Sequence, residues 1–251
     1  MKKTLIFFFI LFCAGVSLSF ADEAQSNYFG LVALTTSSPY KDVSTKVWPV
    51  PIISWHSKDG KFFVEGKESG YQVLKYQDLT LDAILRPRLM GYDDNDATVL
   101  NGMKDRKWSI DGGLRLAWNI PDSGNISVET SLVTDLLSEH QGQEAEIAVA
   151  KKFKGDIFVL KPKIGLRWQS QNLVDYYYGV QSTEATASRR TYEPSSSLNS
   201  FANLSFDMGV SKNWVMATML EYEQLGSAIR NSPIVEKHGI LTGLLGLIRR
   251  F

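Results

Sequence analysis

Cysteine is nearly missing from this sequence: Cys13 is the single copy in 251 residues. It lies inside an apolar N-terminal stretch that reads as a removable leader, so no disulfide framework and no thiol nucleophile are expected in the rest. Phe12 stands before Cys13 where a lipoprotein box needs a small residue, which excludes lipidation at that position. Histidine is scarce as well, with His56, His140 and His238 the three copies. No two of them have metal-ligand spacing, and no phosphate-cradling loop is present. An excess of one charge is also lacking. Taking Lys2 and Lys3 from the 27 basic residues leaves 25 against 27 acidic, a net charge near −2. That balance argues against a nucleic-acid partner. Finally, nothing beyond residue 21 approaches the roughly 20 apolar residues of a membrane-spanning helix.

Lys2 and Lys3, the apolar run Leu5 to Phe12, and Ser19-Phe20-Ala21 before Asp22 together form a secretory signal peptide. The expected domains are therefore a leader over 1–21 and one unit over 22–251. Mean hydropathy is −0.12, which by itself would suggest a water-soluble chain. Strands that show every second residue to lipid defeat that measure.

Period two is the dominant pattern. Over 107–120, Trp108, Ile110, Leu114, Leu116, Trp118 and Ile120 share one face, with Asp111, Arg115 and Asn119 on the other. Over 157–169, Phe158, Leu160, Ile164, Leu166 and Trp168 oppose Lys161, Lys163 and Arg167. Segments 79–92 and 126–136 repeat the alternation, and weaker versions occur at 27–36, 46–56, 61–66, 71–76, 143–153, 200–211, 214–225 and 237–251. This makes twelve candidate strands.

Connections alternate in length. Short turns at 57–60, 77–78, 121–125, 154–156 and 212–213 alternate with longer polar segments at 37–45, 93–106, 137–142, 171–199 and 226–236. Only the connection between Gly66 and Gly70 is too short for the scheme. The expectation is an antiparallel up-and-down transmembrane β-barrel of about twelve strands in the outer membrane, with short periplasmic turns and longer outer loops. Trp108 and Trp118 test it with a length. Ten residues at about 3.3 Å each, tilted near 45°, cover roughly 23 Å, close to the apolar band between two aromatic girdles. Trp168 and Trp214 also fall at strand ends. A soluble sandwich would bury these tryptophans instead.

Closure follows from the solvent, because an open sheet edge in lipid leaves unpaired backbone groups. Asp82, Arg86, Arg88, Asp111, Arg115, Glu129, Lys161, Lys163, Arg167, Asp207, Glu221 and Glu223 then face the lumen. They read either as a salt-bridged plug or as the lining for a small polar solute, the plug being favoured because twelve strands enclose little space. Catalysis finds no footing: His56 with Ser54 or Ser57 lacks the pattern of the outer-membrane phospholipases. No catalytic residue, cofactor or metal is expected.

Loop 171–199 concentrates unusual residues, and the chain resembles the MipA/OmpV family there. The matching positions are Tyr177, Tyr178, Gly179 and Val180, then Glu184 and Ala185, Tyr192 and Pro194, Asn213-Trp214, and Ser232 with Pro233. Pro49 to Trp55, Phe62-Phe63, Gly70 and Arg86-Pro87-Arg88 match in the first half. Phe251 gives the aromatic end that the barrel-assembly machinery reads as its signal, although Arg249 and Arg250 depart from the usual pattern. The resemblance implies a non-enzymatic scaffold joining a lytic transglycosylase to a peptidoglycan synthase, with lipid and the assembly machinery as its other partners. A small-solute channel and an adhesin acting through the outer loops are the alternatives. Asp22 to Asn27 precede the first strand, so scaffolding would rest on the short turns.

Overall fold

The computed structural model describes residues 27–251, and the expected leader over 1–21 lies outside the described residues. One antiparallel sheet rolls into a barrel. Its strands are β1 (Tyr28–Thr36), β2 (Lys46–His56), β3 (Phe62–Glu65), β4 (Glu68–Tyr76), β5 (Leu79–Arg88), β6 (Ser109–Asn119) and β7 (Ile126–Asp135). They continue as β8 (Gln143–Lys151), β9 (Phe153–Lys154), β10 (Phe158–Gln169), β11 (Ser197–Gly209), β12 (Trp214–Gln224) and β13 (Gly239–Arg250). β9 continues β8 across a break at Lys152, so the 13 segments make twelve barrel strands. β1 pairs with β2 on one side and with β13 on the other, from Tyr28↔Arg250 to Thr36↔Thr242. That last pairing closes the cylinder.

The alternation foreseen in the sequence decides which residues meet lipid. Leu114, Leu116, Leu132, Ile164, Leu166, Leu245 and Leu247 are all exposed on the outer wall. Such a continuous apolar surface is tolerable only against hydrocarbon. Trp108, Trp118, Trp168 and Trp214 are likewise exposed at the strand ends, which removes the reading in which they fill a soluble core. Two residues show how the ladder tolerates exceptions. Pro162 turns its nitrogen toward the break at Lys152, where no amide is wanted. At Gly113 a Cβ would collide with the Leu132 carbonyl oxygen, so close approach of β6 and β7 requires glycine.

Two expectations change. The segment 171–199 is not a plain loop: it holds α1 (Gln171–Tyr178), and β11 begins at Ser197 rather than at 200. The awkward connection near Gly66 is a tight turn of Gly66 and Lys67, with Gly66 at φ +59°, joining the four-residue β3 to β4.

Leu114→Arg places a cation in the middle of the outer wall, and an unfolding titration in lipid vesicles should show it less stable by about 2–4 kcal/mol. Leu114→Ile should unfold close to the wild type.

Candidate functional site: a sealed lumen and its outer cap

Inward-facing charges pair across neighbouring strands. Glu144 sits at the centre, accepting hydrogen bonds from Arg88 at 3.1 Å, Arg86 at 3.2 Å and the Gln169 amide at 3.1 Å. Arg88 also donates to Asp111 at 2.6 Å, and Arg86 pairs with Glu68 at 2.7 Å. Arg115 reaches Glu68 and Asp82, each at 2.9 Å. Arg167 pairs with Glu146 at 2.9 Å and with Glu223, while Glu129 lies 3.4 Å from Lys161 and 3.7 Å from Lys163. Every one of these arginines is donating to a carboxylate, which is what a buried guanidinium needs. One cavity among these charges, lined by Glu68, Arg86, Arg115, Glu146 and Arg167, measures about 60 Å³, room for a few waters. Ion pairs fill this part of the lumen.

The other part of the inner wall is apolar. Val32, Val50, Ile52, Val215, Ala217 and Ile248, from β1, β2, β12 and β13, pack together out of solvent contact. Valine and isoleucine suit either face of a strand, so alternation of charge alone does not reveal this arc.

Above the plug, the outer loops build a second core. Tyr177 and Tyr178 of α1 are fully buried, among Leu100, Leu173, Val174, Val180, Leu225, Ile229 and Ile234. The family positions assemble here. The Tyr40 hydroxyl donates to the Tyr177 carbonyl at 3.1 Å, and the Ser232 hydroxyl to the Tyr178 carbonyl at 2.6 Å. Gly179 ends α1 with its N–H on the Asp175 carbonyl at 2.8 Å, where a Cβ would collide with the Asp175 carboxylate. Val180 and Tyr192 exchange backbone bonds of 2.8 and 3.0 Å, and the Tyr192 hydroxyl holds the Ala228 carbonyl at 2.8 Å. Glu184 takes Arg106 at 3.1 Å on both oxygens and the amides of Lys104 and Gln181 at 3.0 Å. Pro194 is buried beside this core, Pro233 is half-buried, and Ala185 is exposed. The tyrosine run therefore seals the barrel from outside and is not a rim girdle. Phe251 stands apart at the opposite end, exposed, with its N–H on the Asn27 carbonyl at 3.0 Å.

Burial pushes the phenols of Tyr40, Tyr177 and Tyr178 upward, and Tyr92 to about 12, so the cap's tyrosines stay neutral hydrogen-bond donors. Burial also raises the Glu184 carboxyl, but the Lys104 and Gln181 amides and then Arg106 outweigh it and hold the group below its ordinary range. One trio, Asp111, Asp135 and His140, has a metal-like composition. Its atoms are already committed. His140 Nε2 lies 3.0 Å from Asp111, its Nδ1 accepts the Gly142 N–H at 3.1 Å, and Arg88 occupies the other Asp111 oxygen. Asp135 accepts the amides of Leu137, His140 and Gln141. The trio is a clamp on the 136–142 loop and does not fit a cation. His140, expected as a lone loop histidine, is thus fully buried.

With this geometry the comparisons with known proteins agree. The profile of the family described as MltA-interacting protein MipA matches residues 29–251. The chain belongs to this family. Among the family's relatives, the MltA-interacting protein of Escherichia coli K12 is 29% identical over 210 residues, covering 82% of each chain. Outer membrane protein Omp26La of Vibrio anguillarum is 30% identical over 145 residues, covering 58% of this chain and 55% of that one. Outer membrane protein OmpV of Vibrio cholerae is 29% identical over 147 residues, covering 59% and 56%. Among solved structures, the translocator domain of the autotransporter NalP from Neisseria meningitidis aligns with a TM-score of 0.45 at 11% identity, covering 90% of this chain and 88% of that one. The protein is an integral outer-membrane barrel, as its relatives are named.

Glu144→Gln leaves buried arginines with one charge too few, and unfolding should be easier by about 3 kcal/mol. At the cap, the Glu184 contribution is complete above the ordinary carboxylate value of 4.5 and is lost as the pH falls below it. Hydrogen exchange of the 171–196 amides, corrected for intrinsic rate, should therefore accelerate below that pH, and Glu184→Gln should remove the step.

Proposed function

We propose that this barrel is a non-enzymatic anchor that holds a lytic transglycosylase against the inner surface of the outer membrane, with a peptidoglycan synthase as a second client. The observation that carries the reading is the double seal. A lumen filled with ion pairs and roofed by an apolar cap offers no route for a solute, which favours docking over transport. The partner class rests on the Escherichia coli relative, which is named for interacting with MltA. On the periplasmic side, the turns frame an open cup of about 440 Å³ lined by Asp78, Asn119, Asp122, Asn125, Lys152 and Lys161. Its mixture of amides, carboxylates and ammonium groups suits a polar protein rim better than an apolar ligand. Within this proposal Phe251, exposed at the same end, serves insertion by the assembly machinery and takes no part in docking.

Two measurements test the reading. Immobilised, detergent-solubilised barrel should retain a soluble lytic transglycosylase, and replacing the 121–125 turn with Asn-Gly should weaken retention at least about tenfold. Retention that survives replacement of every periplasmic turn would sink it. In planar bilayers the wild type should be silent. A conductance that changes when Lys161, Lys163 and Arg167 are neutralised would favour the channel instead.

A further inference from the structure

The barrel wall is not continuous to the top. β3 covers β2 only at Ser54, Trp55 and His56, and the β3–β4 hairpin turns back at Gly66 and Lys67. From Val47 to Ile52, β2 has β1 on one side and, among the described residues, no strand on the other. On the far side, β4 follows β5 only as far as Ser69↔Leu85, and beyond that point β6 is the one strand bordering β5 among the described residues. Where the hairpin ends, β2 and β5 stand three strand spacings apart, about 14 Å. Upward from there the β2 edge runs roughly 20 Å, or about 14 Å along the membrane normal at a 45° tilt, within the apolar band.

The amides that would face this notch can be identified from bonds lower down. Ser57 N–H donates to Phe62 across the β2–β3 side, whereas His56 N–H turns the other way to Asn27. Odd-numbered amides of β2 therefore point toward the notch, and Pro49 and Pro51 occupy the two in the middle of the edge. On β5, Asn119 N–H donates to the Asp78 carbonyl, so even positions face β6 and odd ones face β4. The odd position beyond Leu85 is Pro87. All three prolines of these two strands set their nitrogens, which carry no hydrogen, into the gap. An edge whose two middle donors are missing is a poor template for an added strand, and it shows fewer polar groups to lipid than an ordinary edge. The rim is apolar: Val47, Pro49, Pro51, Leu85 and Leu89 are all exposed.

We propose that the notch between β2 and β5 is a binding groove for the acyl chain of an outer-leaflet lipid, which stands in the wall where two strands are missing. Depth within the bilayer and an apolar rim favour hydrocarbon as the occupant. The prolines on both edges weigh against the other candidate, a strand from a second copy.

Wild-type protein folded into phosphatidylcholine vesicles doped with a phospholipid bearing a mid-chain diazirine is irradiated, and adducts are mapped by residue. Labelling at 47–52 and 85–89 should exceed that at Leu132, Ile164 and Leu166 by at least about threefold, as retention of a chain in a groove requires. Even labelling over all outward-facing strands overturns the proposal. A Pro51→Cys variant, checked for folding by heat-modifiable mobility, should stay monomeric under oxidation in the same vesicles. Efficient disulfide dimers would assign the edge to a second copy and overturn the proposal equally. Because labelling uses the unaltered chain, it decides the matter even where the variant fails to fold.

Discussion

The fold of this chain answers first to one constraint: within hydrocarbon a backbone N–H or C=O finds no water, and each one left unpaired costs several kcal/mol. The fold is the cheapest answer for a sequence without a helix of spanning length. Closing β1 onto β13 abolishes the outer edges. The period-two alternation then follows, since each strand must be apolar toward lipid while the lumen can accept anything that pairs. Exceptions are placed where an amide is unwanted. Pro162 faces the break in β8, and Pro49, Pro51 and Pro87 face the gap above the β3–β4 hairpin. Proline appears in these strands where the ladder is already interrupted, and its missing donor lowers the cost of the interruption.

The second constraint is charge. Burying an arginine alone is prohibitive, and a pair contributes little net stability once desolvation is counted. The lumen meets this with shared carboxylates. Glu144 serves three arginines, Arg86, Arg88 and Arg167, and Glu68 serves Arg86 and Arg115. Sharing lets few acidic residues satisfy many donors, and it links β4, β5, β6 and β8 across the interior. Such a network resists opening, because releasing one side chain leaves several others unpaired. The apolar arc of β1, β2, β12 and β13 completes the interior by packing. One side of the barrel is fastened by charge and the other by contact.

The strand pattern, the loop alternation and the twelve inward charges were legible in the sequence because each follows from local periodicity. What escaped was non-local. Glu144 and Glu146 sit in a strand of weak alternation, so their lumenal phase emerged only from the register with β10, where Glu144 lies opposite Gln169. Val50, Ile52 and Ile248 read as ordinary strand residues, since valine and isoleucine suit either face of a barrel whose interior is dry. The Tyr176–Tyr178 run was ambiguous for the same reason. Aromatic rings at a strand end fit a girdle as well as a core, and only the helix α1 with Ile229 and Ile234 over it decides the matter. The resemblance names residues there without saying what they do. Gly179 against Asp175 and Ser232 on the Tyr178 carbonyl supply the reason, which is packing of a lid.

That finding bears on where function can sit. A family motif is often taken to mark a binding site, yet here Tyr177, Tyr178, Val180 and Glu184 are buried, and neighbouring loop residues such as Tyr40 and Arg106 hold their polar groups. The cap holds four buried tyrosines, and the hydroxyls or carbonyls of Tyr40, Tyr177 and Tyr178 tie loops from distant parts of the chain together, as Tyr40 to Tyr177 does across 137 positions. Residues so committed can constrain a surface but cannot be the surface. Two faces outside this core carry the proposed contacts, the periplasmic rim and the lipid-facing wall. The first carries the polar cup between the turns; the second carries the gap between β2 and β5. A partner reaching the cup meets groups anchored to a rigid wall, since Lys161 and Glu129 belong at once to the cup and to the ion-pair network above it. Docking at the inner rim, as proposed above, would therefore bear on the most tightly held part of the molecule.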